Sequence, residues 1–192
     1  MPVTQKATYH HGDLRAALLT TAMGMLERGE RFSIRAVARE SGVSPTAPYR
    51  HFPDREALES ALAAQGLRDL KADLTRGQRQ PSSVEDLAGL GVAYVEFALR
   101  RPALFRLMFG NECDDDNEER VRAAADVHEL LATAIIGVLP DADPMDLALG
   151  GWGLVHGLAC LYLDRKLTGP SMEHIAAQVR ASFIAVLRAQ PS

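Results

Sequence analysis

The segment Phe32–Leu58, FSIRAVARESGVSPTAPYRHFPDREAL, constrains this chain more than any other. Ile34, Val37 and Ala38 place apolar contacts at i, i+3 and i+4. That spacing predicts a short amphipathic helix over Ser33–Glu40 with Ser33 as its N-cap. Ser41-Gly42-Val43 breaks it, and Gly42 supplies the positive φ of a tight interhelical turn. Ser44 is then expected to cap a second short helix whose first residue is Pro45. Two short helices joined by about four residues with a central Gly form the helix-turn-helix pattern, whose second helix enters the DNA major groove. Duplex DNA is the partner this pattern points to.

Charge is distributed to match. The 192 residues carry a formal charge of −4, too acidic for a uniformly basic nucleic-acid binder. Residues 1–55 nevertheless hold eight Lys/Arg against five Asp/Glu, a local +3, with His10, His11 and His51 in addition. The remainder carries −7. A basic end on an acidic body suits a DNA reader joined to a different module. Cys113 and Cys160 offer no disulfide framework and no CxxC zinc pair, which fits a reducing cytoplasm. No signal-peptide apolar run opens the chain. Leu147–Leu163 is free of formal charge over 17 residues. It falls short of a membrane span, holds four Gly and His156, and reads as a buried helix.

Almost all of the sequence has helical periodicity, predicting an all-α fold of about nine helices. Leu14, Leu18, Thr21/Ala22 and Met25 mark one face of a first helix from about Thr8 to Arg28. Asp54 caps a longer helix running to about Thr75, with Ala57/Leu58, Ala61/Leu62 and Leu67 inward. The polar connection Arg76–Ser83 separates modules, giving 1–55 as the DNA-binding domain, 56–80 as linking helix and connection, and 81–192 as a second helical domain. Ser82-Ser83-Val84-Glu85 has capping-box spacing, with Ser82 as the cap. Leu87, Leu90/Gly91, Tyr94 and Phe97 follow as one stripe. Pro102 opens a helix bearing Leu104, Phe105, Met108 and Phe109. Asn111–Glu119 reads as an acidic loop. Val121, Ala124, His128, Leu131 and Ile135 define the inward stripe of the next helix. Asp143 and Pro144 open the Gly-rich helix, and Ile175, Val179, Phe183 and Val186/Leu187 mark the last.

Three segments of the N-terminal part, Tyr9–Arg15 (YHHGDLR), the IRAVARESGVS turn and Tyr49–Leu58 (YRHFPDREAL), resemble the TetR family of bacterial transcriptional regulators. Pro102–Phe109 and Trp152–Gly157 resemble a C-terminal domain of that family named for a Trp-His-Gly signature. The resemblance covers nearly the whole chain. It implies a three-helix DNA-binding domain, a linking fourth helix and an all-helical domain for ligand binding and dimerisation. It also implies a homodimer on a palindromic operator, released when a small molecule alters the spacing of its two reading heads. Such heads sit about 34–36 Å apart, one DNA turn, or at multiples of it.

Ser44, Pro45, Thr46 and Ala47 fall at the N-terminal end of the recognition helix, where base edges are reached. Thr46 offers a hydroxyl and a methyl, and Ala47 a methyl for thymine. Tyr49 and His51 resemble the family's phosphate-contacting pair. Arg55 matches its basic position at the next helix start, and Arg35 is a further candidate contact. Phe52 and Val43 read as core. Pro48 removes a helical N–H, crowds the carbonyl of Ser44 and biases Ala47 away from helical angles. It predicts a distorted or 3₁₀-like opening turn.

Trp152 and His156, four residues apart, share a helix face. With Tyr94, Phe97, Phe105, Met108, Phe109 and His128 they form the candidate ligand set. Aromatic and Met side chains around a few polar groups suit an apolar or aromatic effector, and equally an ordinary helical core. Gly150, Gly153 and Gly157 allow close backbone approach, while Ile175, Val179, Phe183 and Val186 supply an apolar face. Together these predict a four-helix dimer interface from the last two helices of each subunit. His128, His156 and Cys160 lack a recognised metal spacing, and no metal or cofactor is expected. Nor is there a nucleophile elbow, phosphate loop, HExxH or paired carboxylates, so an enzyme is not expected. The competing non-enzymatic reading is a constitutive DNA-binding regulator without a ligand.

Overall fold

The computed structural model describes residues 11–76, 80–110, 117–141 and 143–188. Tyr9, His10, Cys113 and the acidic run Asp114–Asp116 fall outside them. The described residues form eight α-helices and one 3₁₀ helix, with no strand among them. In order, the α-helices are α1 (His11–Glu27), α2 (Ile34–Glu40), α3 (Arg55–Thr75), α4 (Val84–Arg100), α5 (Pro102–Gly110), α6 (Glu118–Val138), α7 (Pro144–Leu163) and α8 (Met172–Arg188). The 3₁₀ helix, Ala47–Arg50, lies between α2 and α3. The chain divides into two compact units, Met1–Leu62 and Ala63–Ser192, so α3 begins in one and ends in the other.

In the first unit, α2 is bounded by local chemistry. Ser33 Oγ accepts the N–H of Ala36 at 3.2 Å, an N-cap. At the other end Gly42 has φ +69°, with Gly42 N–H donating to Arg39 O and Val43 N–H to Ala38 O. This is the paired closure of a Schellman motif, which needs a residue that tolerates the left-handed region. Ser41 Oγ reaches Thr21 Oγ1 at 3.0 Å and ties this corner to α1. Leu18, Ala22, Phe32, Ile34, Val37, Phe52 and Leu58 fill the core. Each such large apolar side chain stabilises the unit by about 1.5–3 kcal/mol relative to exposure.

The segment after the turn departs from expectation in one respect and follows it in another. Ser44 does not cap a helix beginning at Pro45, because Pro45 and Thr46 form a turn and regular structure starts at Ala47. Ser44 Oγ lies instead 3.3 Å from Thr46 Oγ1. The element that follows is 3₁₀, as the position of Pro48 predicts. Pro48 has no N–H to give, and its ring is fully buried.

In the second unit α4 is the central helix, packed against α5, α6, α7 and α8. A Cβ on Gly91 would lie 2.9 Å from Val155 Cγ1 and 3.3 Å from Phe183 Cδ2, so this glycine sets how closely α7 and α8 approach α4. The α4 cap sits one residue later than the capping-box spacing indicated. Ser83, not Ser82, accepts the Asp86 N–H at 3.1 Å, while Asp86 Oδ2 takes the N–H of Ser82 at 2.9 Å. Asp54 and Asp143 cap α3 and α7 as expected, with Pro144 at the first position of α7. Glu118 and Glu119, expected in a loop, form the first turn of α6 behind the cap Asn117.

Two expected apolar faces also shift. The buried stripe of α6 is Arg120, Ala123, Val127, Ala134 and Ile135, sharing only Ile135 with the predicted one. On α8, Val179 is 1% exposed and belongs to the chain's own core. Phe183 packs against Gly91 and Gly151. An amphipathic stripe states that a face is covered, but not by what.

Candidate nucleic-acid interface and ligand cavity

The turn and 3₁₀ helix present a continuous exposed surface. Ser44, Pro45, Thr46, Tyr49 and Arg50 are exposed, Ala47 and His51 are half-buried, and Arg35 is exposed on the first turn of α2. Phe52 is buried, so the ring centroid of His51, 6.5 Å away, rests on a fixed support. Val43, expected in the core, is half-buried. Arg55 is held by an ion pair to Glu59 at 2.7 Å and lies 5.7 Å from the Phe32 ring centroid. Arg35, Arg39 and Arg50 are exposed and have no carboxylate partner among the described residues. Arg39 and Arg50 were not singled out in the sequence. Their signal was the net positive charge of the N-terminal segment, which carries no information on direction. An exposed, unpaired guanidinium is the group that neutralises a phosphate.

In the second unit, a cavity of about 370 Å³ opens between α3 and α6. Leu67 and Leu70 form its α3 wall, Tyr94 and Trp152 its inner wall, Met108 and Phe109 its α5 side, and Val121, Ala124 and Leu131 its α6 side. The predicted stripe of α6 thus lines a void, and Arg120 and Val127 of the buried stripe reach the same wall. Ion pairs from α6 to α3 flank the opening: Glu119 with Arg68 at 3.0 Å, and Asp126 with Lys71 at 3.4 Å. Of the candidate ligand residues, Tyr94, Met108, Phe109, His128 and Trp152 line this cavity. His128 is exposed at its mouth, not on an inward face, with its ring 6.0 Å from that of Trp152. Phe97 and Phe105 are buried core residues off the cavity wall. His156 stands behind it, 5.3 Å from Phe105 in a stacked arrangement. A smaller void of about 50 Å³, almost entirely apolar, shares Tyr94, Leu131 and Trp152 with the larger one.

One hydrogen-bonded chain fixes the inner wall. Trp152 Nε1 donates to Tyr94 Oη at 3.2 Å, and Tyr94 Oη lies 2.9 Å from His156 Nδ1. An indole N–H can only donate, so the tyrosine hydroxyl accepts it and keeps one lone pair and its own proton for the contact with Nδ1. A neutral His156 with its proton on Nε2 takes that hydroxyl proton at Nδ1. Burial acts in the same direction: it lowers the His156 pKa from its ordinary value and raises that of Tyr94. Arg120 is the charged wall residue absent from the sequence expectations. It is 7% exposed and donates from Nη2 to Met108 O at 3.0 Å. Among the described residues no cluster of three or more His, Cys, Asp or Glu could hold a metal.

Of the predicted dimer residues, Gly150 and Gly153 are exposed and Gly157 half-buried, and a Cβ on any of them would meet nothing within 4 Å. Met145 and Leu149 on the same helix are 69% and 63% exposed. Val186 is exposed, Ile175 is half-buried against Gly169, and Val179 and Phe183 serve the chain's interior. By length and composition alone α7 could cross a membrane. Here Val155, Ala159 and Tyr162 pack it into the helical unit, and Trp152 and His156 bond it to α4.

A helix-turn-helix followed by an all-helical domain is an architecture found among bacterial transcriptional regulators, and sequence comparison agrees. Residues 18–62 match the family described as bacterial regulatory proteins, tetR family, and residues 87–189 match the tetracyclin repressor-like C-terminal domain. The chain belongs to the TetR family. It is similar to a structurally determined protein of unknown function from Rhodococcus sp. RHA1, at 32% identity and TM-score 0.80, covering 94% of this chain and 98% of that one. A TetR-family transcriptional regulator from Pectobacterium atrosepticum shares the fold, at 24% identity and TM-score 0.62, covering 94% and 97% respectively. An uncharacterized HTH-type transcriptional regulator of Haemophilus influenzae is 26% identical over 117 residues, which span 59% of this chain and 57% of that regulator.

Proposed function

We propose that the protein is a ligand-responsive transcriptional repressor of the bacterial cytoplasm. It binds a palindromic operator as a homodimer and lets go when a small, mainly apolar molecule enters the α3/α6 cavity. One observation carries this reading: α3 runs unbroken from Arg55, beside the exposed face of the reading head, to Leu67 and Leu70 on the cavity wall. A ligand that displaces those leucines acts on the same helix that begins at the DNA-reading unit. The exposed Met145, Leu149, Gly150 and Gly153 supply the apolar surface for a second copy.

Ser44, Thr46 and Ala47 read base edges in this proposal, Tyr49, His51 and Arg55 hold phosphates, and Arg35 adds a further contact. The test begins with selection of bound sequences from random duplex DNA at fixed salt. On the selected duplex, the Tyr49→Ala/His51→Ala protein should bind at least about tenfold more weakly, with unchanged helicity and oligomeric state. Equal affinity would remove this face from the interface. Release of the same duplex by apolar aromatic compounds that also change Trp152 emission separates a sensor from a constitutive regulator. Linkage requires such a compound to bind the DNA complex less tightly than the free protein.

A further inference from the structure

The two voids of the second unit lie end to end. On α6, His128 and Leu131 line the larger one, while Leu131, Ile135 and Leu139 line the smaller. On α3 the same passage runs from Leu70 to Leu74, and on α4 from Tyr94 through the Leu90/Gly91 pair to Leu87. The steps are of three or four residues, one helical turn, so each helix carries one lined face from one void into the other. From Val121 to Ile135 the combined space follows α6 for about 21 Å. Three side chains that both voids share, Tyr94, Leu131 and Trp152, form the partition. Two of them are tied: Trp152 Nε1 donates to Tyr94 Oη, and Tyr94 Oη meets His156 Nδ1. Leu131 is half-buried and purely aliphatic, so it can change rotamer without breaking a hydrogen bond.

The smaller void admits little. It measures about 50 Å³, whereas an apolar cavity of about 150 Å³ is what holds a benzene ring. Beyond the partition its lining is Leu, Ile, Val, Ala and Gly with the Phe183 ring, so a polar group would end there without a hydrogen bond. The end of an unbranched saturated chain meets both conditions: it is narrow enough to pass one leucine, and it needs no partner. We infer that the effector carries an unbranched alkyl tail, which runs along α6 past Leu131 and ends against Phe183 and Leu187 in the smaller void. The larger void takes the rest of the molecule. The inference rests on the ligand-sensing reading above and adds a shape requirement to that site.

The experiment uses the full chain without DNA and two isomers, para-n-octylphenol and para-tert-octylphenol. They share ring, hydroxyl and carbon count and differ only in branching. By calorimetry the linear isomer should bind at least about tenfold more tightly, since each buried methylene strengthens binding about fourfold and only the linear chain reaches the smaller void. Ala148 is half-buried and lines the smaller void alone, so Ala148→Leu fills that space. In this variant the two isomers should bind within about threefold of each other. Equal binding by the unaltered protein, tighter binding of the branched isomer, or no binding of either overturns the inference whether or not the variant folds. So does a folded Ala148→Leu protein that keeps the parent's preference. Operator release is read separately, on a duplex selected by the protein. A linear isomer that binds with the expected preference but does not release DNA supports the tail assignment and defeats the sensor reading. Isomers that bind equally and both release DNA do the reverse.

Discussion

Tyr94 Oη and His156 Nδ1 are 2.9 Å apart, and that one contact ties α4 to α7 through an imidazole that can change its charge. Trp152 already donates to Oη, which leaves this hydroxyl one lone pair and its own proton for the contact with His156.

The pH dependence of stability follows from this arrangement. Burial holds the folded-state pKa of His156 below its ordinary 6.5. On acidification the unfolded chain therefore takes up this proton first and binds more protons than the folded one. Stability falls as the pH drops through about 6.5 and stops falling on this account once the folded imidazole is itself protonated. His156→Asn offers Oδ1 in place of Nδ1 as acceptor and cannot titrate. Urea midpoints measured across this window should decline less with acid in the variant. A parallel decline in both proteins would place the titrating group elsewhere.

Removing the central hydroxyl leaves both neighbours without it. Tyr94→Phe deprives the Trp152 N–H and the His156 Nδ1 of their hydroxyl partner at a buried position, costing about 1–3 kcal/mol. Adding Trp152→Phe to that background should cost less than it does alone, since the indole donor has already lost its acceptor. Denaturant titration of the two single variants and the double variant gives the coupling directly.

Two glycines on packed helices should respond in opposite ways to alanine. Gly91→Ala drives a Cβ to 2.9 Å from the stiff Val155 side chain, an overpacking that costs about 1–3 kcal/mol and exceeds the gain in helix propensity. Gly153 has open space around it, so Gly153→Ala should stabilise the isolated fold by up to about 1 kcal/mol. If α7 meets its counterpart in a dimer, the same methyl weakens the association. Thermal melts report the first effect and sedimentation over a concentration series the second.

Pro48 links stability to the shape of the reading head. Pro48→Ala removes ring carbons from a fully buried site, costing about 1–2 kcal/mol. It also restores an N–H and frees Ala47 to take helical angles. The 3₁₀ turn should lengthen toward an α-helix, and the duplexes selected by the variant should differ from those selected by the parent at the positions facing Thr46 and Ala47. Identical selections would show that proline shapes the core and not the readout.

What was legible in the sequence was mostly local. Ser33, Gly42, Asp54 and Asp143 act as caps or turn residues through neighbours one to four positions away, so the chain states their role outright. Pro48 belongs to the same class. Helix faces depend on distant partners, and there the reading slipped. Along Arg120–Ile135 two stripes run side by side; Val121, Ala124, His128 and Leu131 line a void, and the more buried stripe, which begins with an arginine, shares that wall through Arg120 and Val127. On α8, Phe183 packs against Gly91 of α4 and Gly151 of α7, while Val186 of the same stripe stays exposed. Arg120 was missed because a charged residue near an acidic run reads as solvated until its burial is seen.

The continuity of α3 has a consequence for recombination between relatives. A straight helix turns about 100° per residue, so a single insertion between Leu62 and Ala63 would rotate everything beyond it by that angle. Seven residues make nearly two whole turns and leave an error of only about 20°. Reading heads from other family members should therefore graft onto this sensor when their junctions differ by whole heptads. At other lengths the chimera is expected to keep both activities but lose the coupling between them.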